Sequence, residues 1–242
     1  MKYALVSDIH GNLEALTAVL HDIEKQHVDS IHCLGDVIGY GPDPVACLRL
    51  VDQHCDTKLM GNHEFTALGL QSAEVFNNAA RKAVEWTRTQ LTDTELSMMA
   101  DFLMDRSMDD MFLVHASPFE PQQWHYILTV EEAELAFQHL KSGICFFGHS
   151  HLPMIIRETA DESPHFQVGH TILADTETRY LINAGSVGQP RDNDPRACYL
   201  VFDDDEREIS FNRVEYDINV SQQKMTTAFL PDALISRLAK GV

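Results

Sequence analysis

Three short apolar runs near the start of the chain each give way to a polar loop and then a helical pattern, and this alternation constrains the fold more than any other feature. Tyr3 to Val6, Ser30 to Leu34 and Lys58 to Met60 are too short for helices and read as buried strands. Leu13, Leu16, Val19, Leu20 and Ile23 recur at helical spacing, which predicts a helix from about Asn12 to Gln26. Pro44 suits the first turn of a second helix. Repeated strand, loop and helix is the pattern of a parallel sheet, in which ligands bind beyond the carboxyl ends of the strands. Those ends carry Asp8-Ile9-His10, Gly35-Asp36 and Gly61-Asn62-His63-Glu64.

Residues 71–105 break this rhythm. Ala79, Ala83, Trp86 and Leu91 predict one helix, and Thr92 with Glu95 forms the capping box of the next. The pair is expected to lie over one side of the site. Met111 to Val114 reads as a strand ending at His115, and Thr129 with Glu132 opens a capped helix to about Lys141. Ile144 to Phe147 leads into Gly148-His149-Ser150-His151. After that come short β-like runs at 154–157, 165–168, 171–174, 179–183, 197–203 and 208–214, expected to form a second sheet or to extend the first. A helical tail over 218–242 is expected, with Pro231 starting its last helix. The whole of 1–242 reads as one domain, with a helical insertion at 71–105 and a strand-rich second half at 152–217.

Asp8, His10, Asp36, Asn62, His63, His115, His149 and His151 all follow expected strands, and strand ends on one edge of a sheet converge. Asp8 and His10 stand two residues apart and in extended backbone point one way, and His149 and His151, at the same spacing, could straddle two cations. Oxygen and nitrogen donors without cysteine suit first-row divalent cations rather than a structural zinc knot. One cation takes about three to four protein groups, so the remaining ligands suit two cations sharing Asp36. One would rest on Asp8, His10 and His151, the other on Asn62, His115 and His149.

Composition narrows the partners. Eighteen basic residues against 37 acidic ones leave a formal charge of −19. That surface repels nucleic acid and anionic membrane, so stable binding to either is not expected. A small phosphorylated substrate remains compatible, because bound cations reverse the local field. The five cysteines form no paired short spacing, and Cys33 and Cys145 lie within strand-like runs. Free buried thiols and a reducing compartment follow. With no signal peptide or membrane span in the pattern, the cytoplasm is the expected location. A monomer or a homodimer is equally compatible.

Taken in order, Asp8-x-His10, Gly35-Asp36, Gly61-Asn62-His63-Glu64, Val114-His115 and Gly148-His149-x-His151 resemble the motifs of the calcineurin-like metallophosphoesterase superfamily, and in particular its compact bacterial and archaeal phosphodiesterases. The resemblance implies an α/β fold of two packed mixed β-sheets flanked by helices, layered α/β/β/α. It implies a phosphoesterase with two divalent metal ions, manganese first, with iron, zinc, nickel or cobalt as alternatives. Asp8, His10, Asp36, Asn62, His115, His149 and His151 would be metal ligands. A metal-bridging hydroxide would attack the phosphodiester, with His63 beside the scissile phosphate. In the protein phosphatases and dinucleoside-tetraphosphate hydrolases of this superfamily the second motif continues to Asp-Arg-Gly. Here Gly39-Tyr40-Gly41 follows instead, which removes the carboxylate that would orient the histidine and an arginine that would grip phosphate. Phosphomonoesterase or protein phosphatase activity at the same site is the alternative, and a non-catalytic scaffold is an alternative of a different class. The stretch from Asn183 to Arg191 also resembles the small phosphodiesterases. Arg191 either binds a phosphate oxygen bidentately or pairs with Asp192 or Asp194. Asn12, Tyr40 and His125 are candidate pocket residues. His21, His27, His32, His54, His139, His165 and His170 have no spacing that groups them, and read as core or surface.

Overall fold

The alternation of side chains along the first strand explains the layering. In the computed structural model, which describes residues 1–168 and 171–242, β1 (Lys2–Val6) turns Ala4 and Val6 to one face and Tyr3 and Leu5 to the other. Both faces are buried, so both must be covered. The chain continues through α1 (Leu13–Gln26), β2 (Ser30–Cys33), α2 (Pro44–His54), β3 (Thr57–Lys58), α3 (Asn62–Ala67), α4 (Asn78–Gln90) and α5 (Asp93–Ala100). Next come β4 (Asp105–Met108), β5 (Met111–Val114), α6 (Val130–His139), β6 (Ile144–Phe147), β7 (Met154–Thr159), β8 (Glu162–Val168), β9 (Ile172–Leu173) and β10 (Arg179–Asn183). The last elements are β11 (Ala197–Asp203), β12 (Glu208–Val214), α7 (Ile218–Thr227) and α8 (Asp232–Leu238).

The strands form two six-stranded mixed sheets, ordered β3-β2-β1-β11-β12-β9 and β4-β5-β6-β10-β7-β8. Within the first, β1, β2 and β3 are parallel, as the repeated strand–helix pattern requires. In the second, β5, β6 and β10 are parallel. The sheets face each other across Leu5, Leu34, Leu113, Phe146, Ile182 and Phe202, with the Phe146 and Phe202 rings 5.4 Å apart. On the outside of the first sheet, Ala4 and Val6 pack under Leu16, Val19 and Ile23 of α1 and Leu48 and Val51 of α2. On the outside of the second, Cys145, Phe147 and Leu181 pack against Ala133, Ala136 and Phe137 of α6. The result is the α/β/β/α sandwich.

Helix ends follow the sequence signals. Asn12 caps α1 by accepting from Ala15 N at 3.2 Å, Pro44 occupies the first turn of α2, and Thr92–Glu95 and Thr129–Glu132 form the capping boxes of α5 and α6. The second-half strands do both things that were open to them. β7, β8 and β10 build the second sheet, while β9, β11 and β12 extend the first. One strand was not expected. β4 begins at Asp105, where the helical reading ended, and pairs antiparallel with β5. Its alternation is of exposed and half-buried residues, typical of a sheet edge, and that gives little hydrophobic signal. Among the described residues no helix is long and apolar enough to cross a membrane, and all five cysteines are buried and free. His170 lies outside the described residues.

Candidate metal centre

Loops after β1, β2, β3, β5 and β6 meet at one edge of the sandwich and bring their polar residues into three groups. Asp8, His10 and His151 form the first, Asp36, His115 and His149 the second, and His10, Asp36 and His63 the third. Within each group the candidate ligand atoms lie within 4.8 Å of one another. Asp36 belongs to two of the three, with Oδ2 3.7 Å from His10 Nε2 and 3.4 Å from His115 Nε2. Asn62 joins through Oδ1, 3.3 Å from His115 Nε2. His151 Nε2 lies 3.3 Å from Asp8 Oδ1 and 3.1 Å from His10 Nε2.

The imidazoles are oriented from behind. His10 Nδ1 is 3.0 Å from the Ile38 carbonyl, His115 Nδ1 2.9 Å from that of Leu34, and His151 Nδ1 2.6 Å from that of Gln189. A carbonyl only accepts, so each Nδ1 carries a proton and each Nε2 is turned to the centre. Asp8 is divided in the same way. Ser7 Oγ and His149 N donate to its Oδ2 at 2.7 and 2.9 Å, whereas its buried Oδ1 has no hydrogen-bond partner. His149 Nε2 is likewise buried without a partner. Buried polar atoms rarely go unpaired, and these two sit where a cation would satisfy them. The donor set of carboxylate, amide and imidazole therefore fits one or more divalent metal ions.

Charge within the cluster is strongly perturbed. Burial opposes ionisation of Asp8, but the neighbouring His151 holds the carboxyl below its usual range. Burial also opposes ionisation of Asp36, and His115 overrides it. Burial alone would depress His115, and the adjoining Asp36 instead lifts it to about 9. Burial drives His63 down to about 4, against the pull of Asp36, and His149 to about 3.

The paired motifs converge by a different geometry from the one the spacing suggested. Asp8 and His10 are not extended; their φ angles are +53° and +49°, and those of His149 and His151 are +64° and +61°. Asp36 is left-handed too, at +52°. Left-handed backbone at non-glycine residues is strained and persists where the surroundings enforce it. Here the enforcing bonds include Asp8 N to Gly35 O and His10 N to Asp36 O.

The remaining candidates separate cleanly. His63 N donates to Asp36 Oδ1 at 2.9 Å, and its ring stacks on Phe76 and meets the edge of Tyr40. Asp36, His63, His149, His151, Tyr40 and Arg191 all line a cavity of about 640 Å³. Arg191 is not paired with Asp192 or Asp194; those carboxylates bond Arg213 and Arg196. Instead its guanidinium lies over the Tyr40 ring, 5.8 Å from the centroid. Asn12 does not reach this cavity. Its amide is committed to Ala15 N, Gly188 O and Ser221 Oγ, so it joins α1, the Gly188 loop and α7. His125 pairs with the exposed Glu120.

Several participants went unrecognised in the sequence. Glu64, fully buried, accepts from Asp36 N, Ile38 N and Gly61 N, tying the second motif to the third. Burial, with Asp36 nearby, lifts its pKa to about 7. Its place in the third motif was the available signal. Tyr126 stacks on His149 at 4.3 Å, and Phe76 covers His63, with nothing in their local sequence to mark them.

A family model described as the calcineurin-like phosphoesterase superfamily domain matches residues 1–207. An uncharacterized protein of Methanocaldococcus jannaschii is 36% identical over 243 residues, covering 98% of this chain and 97% of that one. A metallophosphoesterase of Sphaerobacter thermophilus, known as a crystal structure, superposes with a TM-score of 0.88 at 40% identity, covering 100% of this chain and 99% of the other. Class 3 fructose-1,6-bisphosphatase of Clostridioides difficile is 25% identical over 175 residues, covering 69% of this chain and 25% of that protein. With its motifs gathered at one edge of the sandwich and a family match over most of its length, the chain belongs to the calcineurin-like phosphoesterase superfamily.

Proposed function

We propose that the protein is a phosphodiesterase that works with two divalent cations, manganese first among them. Asp8, His10 and His151 would hold one cation; Asn62, His115 and His149 would hold the other; Asp36 would be shared. The observation that carries this reading is the pair of adjoining ligand groups with Asp36 common to the centre, together with the unpartnered Asp8 Oδ1 and His149 Nε2. Bound cations of this kind polarise phosphate oxygens and make a coordinated water nucleophilic near neutral pH.

The chain's own groups supply the rest. Backbone carbonyls behind His10, His115 and His151 hold the rings with Nε2 facing the centre, so little reorientation accompanies loading. His63 faces the cavity with a pKa near 4, so it is neutral at pH 7. It acts as a hydrogen-bond donor to the phosphate or the leaving oxygen rather than as an acid charged in advance. Arg191, its Nε buried without a partner, grips a phosphate oxygen, and Tyr40 supports both. A diester is favoured because Gly39-Tyr40-Gly41 replaces the Asp-Arg-Gly of the superfamily's protein phosphatases. A monoester is the second reading, drawn from the similarity to a fructose-1,6-bisphosphatase. The substrate is taken to be small and the compartment reducing, in keeping with the −19 charge and the free buried cysteines.

A chromogenic diester and the matching monoester, assayed after chelation and again after manganese is restored, test the proposal. Metal-dependent turnover with the diester ahead is expected. A monoester rate well above the diester rate selects the second reading, and no turnover of either overturns both.

A further inference from the structure

One wall of the cavity plays no part in the chemistry above. α8 contributes Arg237 to it and the turn after α8 contributes Lys240, beside Arg191. Arg191 Nη2 and Arg237 Nη1 donate to the same atom, Gln189 Oε1, at 2.9 and 3.1 Å. Two guanidinium groups thus meet on one neutral oxygen, supplied by a side chain that is itself 1% exposed. Arg237 Nε donates to the oxygen of Val242, the last residue of the sequence and part of the same cavity wall, and Arg191 Nε is buried with no partner. Among the described residues, the one carboxylate side chain lining the cavity is Asp36, which belongs to the metal centre. Like charges held this close repel, and burial followed by Arg191 lowers the basicity of Arg237. In a chain of net charge −19, acidic partners were abundant, and Asp192 and Asp194 next door are spent on Arg213 and Arg196 instead. The arrangement is suited to an anion that arrives from solution.

The scaffold beneath is packed. Leu234 and Leu238 anchor α8 in a cluster with Ala83 of α4, Met225 of α7 and Leu230. A cation carried on a packed helix, as Arg237 is, keeps its position, which a binding site requires. Arg191 lines the cavity together with His63 and His151 and shares Gln189 with Arg237, so it links the metal centre to that wall.

We propose that Arg237 and Lys240, continuing from Arg191, bind a second phosphate group of the substrate, separate from the ester that is hydrolysed. This rests on the phosphoesterase reading and narrows it to substrates carrying two phosphate groups. Arg237 Nη2 and the second Nη1 hydrogen are left to donate to phosphate oxygens, and Lys240 adds a point charge at the rim.

Manganese-loaded protein titrated calorimetrically with thymidine 5′-phosphate and with thymidine 3′,5′-bisphosphate tests the subsite. The bisphosphate is expected to bind about tenfold more tightly or better, the scale of one charge-assisted hydrogen bond. Arg237→Gln and Lys240→Gln are each expected to reduce that ratio. Lys240 is exposed, so its variant is free of the folding question that Arg237 raises through Gln189. Equal affinities in the unaltered protein, or a ratio that survives in both variants, overturn the proposal. A ratio that appears and collapses as expected, in a protein that hydrolyses neither diester nor monoester, upholds the subsite and refutes the phosphoesterase reading alone.

Discussion

Gly39 lies directly against the imidazole of His63. Its φ of +86° is one that side-chain-bearing residues rarely adopt, and a Cβ there would collide with His63 Nδ1. The residue that removes the superfamily's orienting carboxylate therefore also creates the space the ring occupies, and Phe76 and Tyr40 take over the orienting by packing. Gly39→Ala is expected to push the ring aside and lower kcat at least about tenfold, given that such a group contributes roughly 10²–10⁴-fold. Bound metal should be unchanged. Steady-state kinetics with elemental analysis checks this, and a normal kcat refutes it. Two further substitutions divide the roles around it. Asp36→Asn is expected to abolish turnover and lower metal content at both positions. His63→Ala should keep its metal and lose roughly 10²-fold in turnover. Equal metal loss in the two variants would contradict the division.

At the level of elements, β2 carries a titration that the metal centre does not share. His32 is 2% exposed, next to the Tyr3 ring and 3.2 Å from Ser30 Oγ. Burial, reinforced by Arg106 of β4 and opposed by Asp56, lowers its pKa to about 4. Below pH 6.5 the unfolded chain takes up a proton that the folded chain refuses until about pH 4. Stability from this residue is therefore full above pH 6.5 and lost as the pH falls through that window, by about 3 kcal/mol at most. His32→Gln should flatten the difference in urea stability between pH 6.5 and 4.5 relative to the unaltered protein. Parallel pH profiles for the two proteins would show that His32 is not responsible. α8 makes the complementary point. It is short and half exposed, yet its apolar face is packed and its Arg237 is delivered to the cavity.

For the molecule as a whole, the buried carboxylates Asp8, Asp36 and Glu64 at one edge of the sandwich make metal binding part of folding. Free metal at about a hundred times its dissociation constant is worth about 2.7 kcal/mol per site, which for a chain of this size corresponds to about 5–10 °C in Tm. Scanning calorimetry with chelator and then with restored manganese is expected to show a fall and recovery of that order, and a Tm indifferent to metal would refute it. The sandwich itself was legible because its cause is local. Apolar runs such as Ile144 to Phe147 make strands wherever they are placed, and Asn12, Thr92 and Thr129 cap helices through bonds spanning three residues. That these candidate groups would gather was legible for the same reason, since each motif directly follows a strand. Spacing could not supply the backbone at those motifs: Asp8, His10, Asp36, His149 and His151 are left-handed because bonds from distant loops hold them so. Nor could it supply β4, whose edge position leaves little apolar pattern, or the contacts of Tyr126, Phe76 and Arg237. What the sequence determined alone was which residues end strands and carry metal-binding chemistry, because periodicity and capping act over a few residues. Which of them come together, which walls enclose the cavity and that Asn12 is structural were decided by tertiary structure, because those distances depend on how the two sheets and the final helix pack.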